Sequence, residues 1–263
     1  MTRRSPTSTP SRWQEYPWTS FTDKPPPAIS SPPGLGWRGW SCVASGGPNP
    51  VVAASLFASN LSGLLNATVC RGVQLSAILI PYLGTAFVGY QIDKQTYARP
   101  TAFPIGIPET KLHLGLSYQL DQDEAGYLRV ASSFVGLFLD PDMNKELLHS
   151  DYERDKADGY PEAHLQIDAA SPHWTELLTS CKSPSDQKRL LSHLHLPVGG
   201  RRFRPTLEDI LEFVLCERLV QGRPGWLEAI NTSREGFAVK QLRAAIRRHP
   251  VVALQALRDF GHL

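Results

Sequence analysis

Residues 113 to 155, HLGLSYQLDQDEAGYLRVASSFVGLFLDPDMNKELLHSDYERD, decide how this chain folds. Three runs within it, HLGLSYQL, GYLRVASSFVGLFL and the more polar ELLHSDYERD, are made of alternating, aromatic and β-branched residues, the β-branched ones in the middle run. The turn-forming DQDEAG and DPDMN break them, and alternating runs with short polar breaks read as consecutive antiparallel strands. A fourth, AHLQIDA, follows the turn-like DKADGYPE. Its two-residue alternation puts His164 and Gln166 on one face and Leu165 and Ile167 on the other.

The C-terminal third changes period. Thr206 to Asp209 is a T-x-x-D helix start behind Pro205, and Leu207, Ile210, Leu211, Val214, Leu215 and Leu219 continue it as one apolar stripe that Gly222 stops. Thr232 to Glu235 predicts a second start, with Phe237, Leu242, Ala245 and Ile246 turned inward. Pro250 opens a last helix, VVALQALRDF, ending near Gly261, and Pro172 behind Ser171 suits a short helix through PHWTELLTS. Strands followed by helices give an α+β fold: an antiparallel sheet over about 110 to 170 with C-terminal helices packed against it, the core domain being 115 to 263.

The chain upstream is less regular. Residues 1 to 50 hold 10 of the 22 prolines and four of the six tryptophans among Ser, Thr and Gly, which predicts a disordered Pro-rich extension. Residues 51 to 114 mix an apolar part with QIDKQTYARPTAFPIGIPETK, whose spaced prolines mark an irregular connection. The apolar window VQLSAILIPYLGTAFVGY, at 73 to 90, carries Gln74, Ser76, Pro81 and Thr85, so it reads as buried strand or helix rather than a membrane span.

An apolar share of 41% and a charged share of 20% are ordinary globular composition. The net charge of +2 hides a split: residues 115 to 186 carry 5 basic against 14 acidic side chains, and residues 187 to 263 carry 13 against 7. Such halves dock on each other, or the basic one faces an anionic partner. Cys42, Cys70, Cys181 and Cys216 show no CxxC spacing, which supports neither a zinc ribbon nor a disulfide framework. The N-terminus lacks the compact apolar stretch of a secretory signal, and the expected location is cytoplasmic.

The densest polar chemistry lies in HLHLPVGGRRFRPTLED, residues 193 to 209. His193 and His195, like His164, sit in extended patterns that gather polar side chains on one face. Gly199 and Gly200 allow close backbone approach, and Arg201, Arg202 and Arg204 then present guanidinium forks ahead of a helix N-terminus, which suits a phosphate. The plainer readings are histidines bonded to backbone at a sheet edge and arginines paired with Glu208, Glu212 or the DYERDKADGYPE segment. A metal reading joins the H-x-H pair to His164 with Asp168 or Glu208 completing the set. Lys240, Arg243, Arg247 and Arg248, with Arg234, form a basic helix face that is either simply solvated or tracks a nucleic-acid backbone.

The run from DYERDKADGYPEAHLQI through HLHLPVGGRRFRPTLEDILEF to QLRAAIRRHP resembles a family of uncharacterised actinobacterial and prophage-type proteins. An H-L-P-x-G-G-[R/K]-R-[F/Y]-R-P-x-L-E-D block marks that family. More remotely, the order of a Tyr-plus-acidic strand, a His-bearing strand and an H-x-H segment is similar to TumE-type toxin components of toxin–antitoxin systems, which are suspected of acting on nucleic acid. His164, His193 and His195 sit where that pattern has histidines, and the resemblance implies an antitoxin-like partner.

The expected function is a metal-independent ribonuclease or phosphodiesterase without a cofactor, acting on RNA or another phosphate-bearing ligand and not at a membrane. One imidazole of His164, His193 and His195 is base and another acid, an arginine of the 201 to 204 group steadies the phosphorane, and Glu208 orients a ring. The competing expectation is a non-catalytic interaction protein of a mobile-element or defence operon that uses the same basic cleft to hold a partner protein or nucleic acid.

Overall fold

The computed structural model describes residues 49–124, 126–156, 161–169, 196–198 and 204–263. The Pro-rich segment 1 to 48, the PHWTELLTS helix, His193, His195, Gly199, Gly200, Arg201 and Arg202 lie outside the described residues. Helix α1 spans Pro50–Thr68 and precedes strands β1 (Leu75–Ile80) and β2 (Thr85–Tyr90). Strands β3 (Phe103–Pro104), β4 (His113–Gln122), β5 (Leu128–Phe138), β6 (Glu146–Glu153), β7 (Ala163–Ile167) and β8 (Leu196–Pro197) follow, and then helices α2 (Leu207–Cys216), α3 (Trp226–Arg248) and α4 (Pro250–Asp259).

The eight strands form one antiparallel sheet in the order β1-β2-β4-β5-β6-β7-β8, with β3 pairing β4. The four strands read from alternation are all present and pair in sequence, so the fold is α+β. Two slips in register shape it. Ala131 is skipped where Gln119 faces Ser132 and Leu120 faces Val130, and Leu147 is skipped where Leu137 faces Leu148 and Phe138 faces Glu146. Such bulges twist a strand and re-aim the side chains beyond them.

One face of the sheet carries the core. Leu114, Leu116, Tyr118 and Leu120 of β4 and Val135 and Leu137 of β5 are buried with Leu65 of α1, Leu207 and Leu211 of α2 and Ile230 of α3. Phe57 of α1 meets Tyr118 edge-on at 5.2 Å between ring centres. On the other face Phe138 folds back over a glycine pair, Gly115 opposite Gly136, and a Cβ at either position would come within 2.9 Å of its ring. Phe134 stacks 6.1 Å from Phe138 and sits 5.2 Å from His149, so an aromatic row runs along this face toward β7.

The core reaches further back than residue 115. Helix α1 carries no charged residue, and most of its buried positions, among them Ala53, Ala54 and Ala58, are small, so its sequence lacks the polar contrast that reveals an amphipathic helix. Asn49 caps it by accepting the Val51 N–H at 2.9 Å. At 19 residues with a mean hydropathy of 1.3, α1 is long and apolar enough to cross a membrane by those measures, yet Leu64 and Leu65 are packed into the core. The apolar 73 to 90 window is the β1–β2 hairpin.

Three expectations for the C-terminal helices need correction. Helix α2 ends at Cys216 instead of running to Gly222, because Arg218 takes a left-handed conformation (φ 57°) that reverses the chain. Gly222 serves close packing: a Cβ there would meet the Leu215 side chain at 2.6 Å. Helix α3 starts at Trp226 behind Gly225 (φ 80°), leaving Thr232 and Glu235 inside it, since the Pro-Gly turn already sets the start. Leu242 and Ile246 are 61% and 45% exposed rather than inward. The start at Thr206 stands, its N–H donating to Asp209 Oδ2 at 2.8 Å, and so does the Pro250 helix.

Replacing Leu211 by Ala removes a fully buried side chain from the α2–sheet contact and is expected to cost about 2–5 kcal/mol in chemical denaturation. Leu242→Ala is expected to stay within about 0.5 kcal/mol of the parent. Comparable losses for the two would contradict this placement of the core.

Candidate functional site

Strands β6 and β7 pair so that Asp151 lies directly opposite His164 and His149 opposite Gln166. The neighbouring positions Ser150 and Tyr152 are buried on the helix-covered side, so the two-residue period sends His149, Asp151 and His164 to the other face. One nitrogen of each imidazole and a carboxylate oxygen of Asp151 all lie within 4.8 Å of one another, and His164 Nε2 is 4.0 Å from Asp151 Oδ2. Glu146 holds the His149 ring through an Oε1 to Nδ1 contact of 2.5 Å. His164 is 4% exposed and its ring centre is 6.3 Å from that of His149.

Asp151 and His164 line a pocket of about 370 Å³ together with Gln119, Ser132, Arg154 and Lys156. The bulged Ala131 is in its wall, which places the opening where the sheet departs from regular pairing. Lys156 Nζ bridges to Glu153 at 2.8 Å, and Arg154 Nε donates to the Val130 carbonyl at 3.1 Å. Burial pushes the Asp151 carboxyl above its ordinary range, against the opposing pull of His149, His164 and Lys156, while Glu153 adds to the rise. Two imidazoles and a carboxylate on adjacent strands can move a proton, or hold a zinc-type ion.

Of the residues picked from sequence, His164 is in this cluster. Leu196 and Pro197, the described end of the HLHLP segment, pair with Leu165 and His164. Arg204 and Glu208 are elsewhere. Arg204 donates to Ser133 Oγ at 3.3 Å and lies 5.1 Å over the Tyr152 ring, on the helix-covered face. Glu208 is buried and accepts the Ser233 hydroxyl at 2.6 Å, linking α2 to α3. Among the described residues the Glu208 carboxylate is bonded to Ser233 and not to His164, and Arg204 does not itself line the pocket, although the Tyr152 ring that it covers does. Tyr118 sits near the same two residues, and burial pushes its hydroxyl up, with Arg204 opposing and Glu208 adding.

The basic helix face is partly used. Arg234 bridges Asp209 at 2.9 Å and Glu212 at 2.6 Å, and Arg247 lies 4.1 Å over the Tyr127 ring beside the acidic β4–β5 turn. Lys240 and Arg243 are exposed, and exposed Arg248 donates to the Ala244 carbonyl at 3.2 Å. Cys70 is buried and its thiol is pushed up to about 12, chiefly by desolvation, which makes it a poor nucleophile.

The sequence reading missed His149, Asp151 and Glu146. The signal was available in ELLHSDYE, where His149 and Asp151 stand two apart and so share a face, the same logic that singled out His164. In comparison with known proteins, no family model, no curated protein and no solved structure matches the chain.

The raised Asp151 carboxyl has a consequence for stability. A folded value above the unfolded one means that ionisation costs folding free energy, a cost absent at low pH and growing as pH rises from about 4, the unfolded carboxylate value. In chelator-treated protein, Asp151→Asn is therefore expected to melt above the parent at pH 7 and to lose that advantage below about pH 4. A melting temperature lowered by the same amount at both pH values would contradict a carboxyl held above its ordinary range.

Proposed function

We propose that the β6–β7 pocket binds and cleaves a phosphodiester, with RNA as the substrate class. The observation that carries this reading is the convergence of His149, Asp151 and His164 within 4.8 Å beside a pocket walled by Arg154 and Lys156. One group of the cluster takes the proton of the 2′-hydroxyl, the 2′-oxygen bonds to phosphorus as the bond from phosphorus to the 5′-oxygen breaks, and a second group gives a proton to that leaving oxygen. The two cations face the charge that builds on the phosphate oxygens, and their contacts to Glu153 and Val130 hold them in position for it. The resemblance to TumE-type toxin components supports the same substrate class and implies an antitoxin-like protein as partner.

A second reading, an interaction protein without turnover, has its own support. The C-terminal helices expose Leu242, Ile246, Val251 and Phe260 beside Lys240, Arg243 and Arg248. Large exposed apolar residues rimmed by charge mark protein-binding surfaces.

The test is incubation of the full chain with labelled single-stranded RNA and DNA beside Asp151→Asn and Lys156→Ala. The expected result is RNA cleavage that falls about 10²-fold or more in Asp151→Asn, while Lys156→Ala raises KM with the fold unchanged in both. Cleavage of neither polymer, or equal rates in all three proteins, would overturn the catalytic reading in favour of the interaction surface.

A further inference from the structure

We infer that His149, Asp151 and His164 form the binding site of one divalent transition-metal ion of the zinc type, held on the open face of the sheet. Three arguments carry it: donor chemistry, geometry and the support behind the ligands. The donors are two imidazole nitrogens and one carboxylate oxygen, a set that suits Zn²⁺, Fe²⁺ or Co²⁺, whereas Mg²⁺ and Ca²⁺ favour oxygen alone. Among the described residues the protein ligands number three, and a three-ligand set leaves a coordination position open, the mark of a catalytic rather than a structural zinc site.

Ligands about 2.1 Å from a tetrahedral ion sit roughly 3.4 Å from one another. The three donor atoms here are within 4.8 Å, and the His164–Asp151 pair is at 4.0 Å, so side-chain rotations of about 1 Å or less close the set without moving the backbone. The backbone itself is fixed by the ladder: Asp151 and His164 are opposed, and His149 is two residues along the same face. Glu146 holds the His149 ring as carboxylates hold metal-ligating imidazoles, and Phe134 packs 5.2 Å from it. Asp151 and His164 line the pocket, so the open position is reached from there.

With an ion at this place the pKa of a bound water would fall to about 7, and that water, rather than the ligating side chains, would act as base or nucleophile at neutral pH. That use of the ion rests on the phosphodiester reading above; the binding of the ion does not.

The experiment is removal of metal from the full chain with EDTA, removal of the chelator, and titration with Zn²⁺ by calorimetry and with Co²⁺ by visible absorption. The expected result is one ion per chain with a dissociation constant of about 1 μM or tighter. His149→Gln, Asp151→Asn and His164→Gln are each expected to weaken binding by more than about 10-fold, and Glu146→Gln by about 10-fold, with His262→Gln unchanged. His149 is half-buried, so His149→Gln keeps the test open if the buried His164→Gln fails to fold. No stoichiometric binding, or equal binding by the three ligand variants, overturns the site. RNA cleavage at full rate in chelator by a chain that takes up no ion would leave the phosphodiester reading standing and remove the ion. Tight binding lost in the variants, without cleavage of any phosphodiester, would do the reverse.

Discussion

Packing of Leu114, Leu116, Tyr118 and Leu120 against α1 and α2 commits one face of the sheet to the core, and the alternation of the strands then assigns every neighbouring side chain to the other face. That commitment propagates through the antiparallel register from β4 to β7. A one-residue slip of β6 against Ser133 to Gly136 of β5 would exchange the two faces there, burying His149 and Asp151 among leucines and exposing Ser150 and Tyr152. The two slips that exist each skip a single residue of one strand, Ala131 and Leu147, and the pairing resumes beyond them.

The two faces of the sheet carry different sets of polar side chains. Under the helices, Arg204 lies over Tyr152 and bonds Ser133, and Glu208 takes the Ser233 hydroxyl. Buried polar groups of this kind are costly unless paired, and their pairing ties β5, β6, α2 and α3 together. On the opposite face, the His149, Asp151 and His164 cluster is not compelled by packing. Asp151 is held there against its solvation preference, and a sheet needs no such group to fold.

Charge asymmetry along the chain acts locally. Arg234 joins α3 to Asp209 and Glu212 of α2, and Arg247 reaches the Tyr127 ring at the acidic β4–β5 turn. Such partly exposed pairs contribute little each, but they consume cations that a count of charge would credit to a ligand face. Lys240, Arg243 and Arg248, together with the exposed apolar residues of α3 and α4, form the C-terminal surface that the interaction reading uses.

Strand identity was legible wherever one face is apolar and the other polar, as in HLGLSYQL and AHLQIDA, because the two-residue period is written into the residues themselves. Helix α2 was legible for the matching reason: its stripe repeats at 3.6 residues behind Thr206. Helix α1 was not, since small apolar residues without charge show no face. The start of α3 was mistaken because a capping pattern also occurs by chance inside a helix whose true start is set by a Pro-Gly turn. The candidate site divides in the same way. His164 follows from alternation within one strand, while its partnership with Asp151 and His149 depends on which strand lies beside it and in which register, a non-local choice made by burial of the opposite face. The sequence by itself determined the elements and the side chains each could present; only the tertiary structure decided that Glu208 and Arg204 belong to the core side and His149 and Asp151 to the pocket, because pairing between strands is fixed by long-range packing that no single segment encodes.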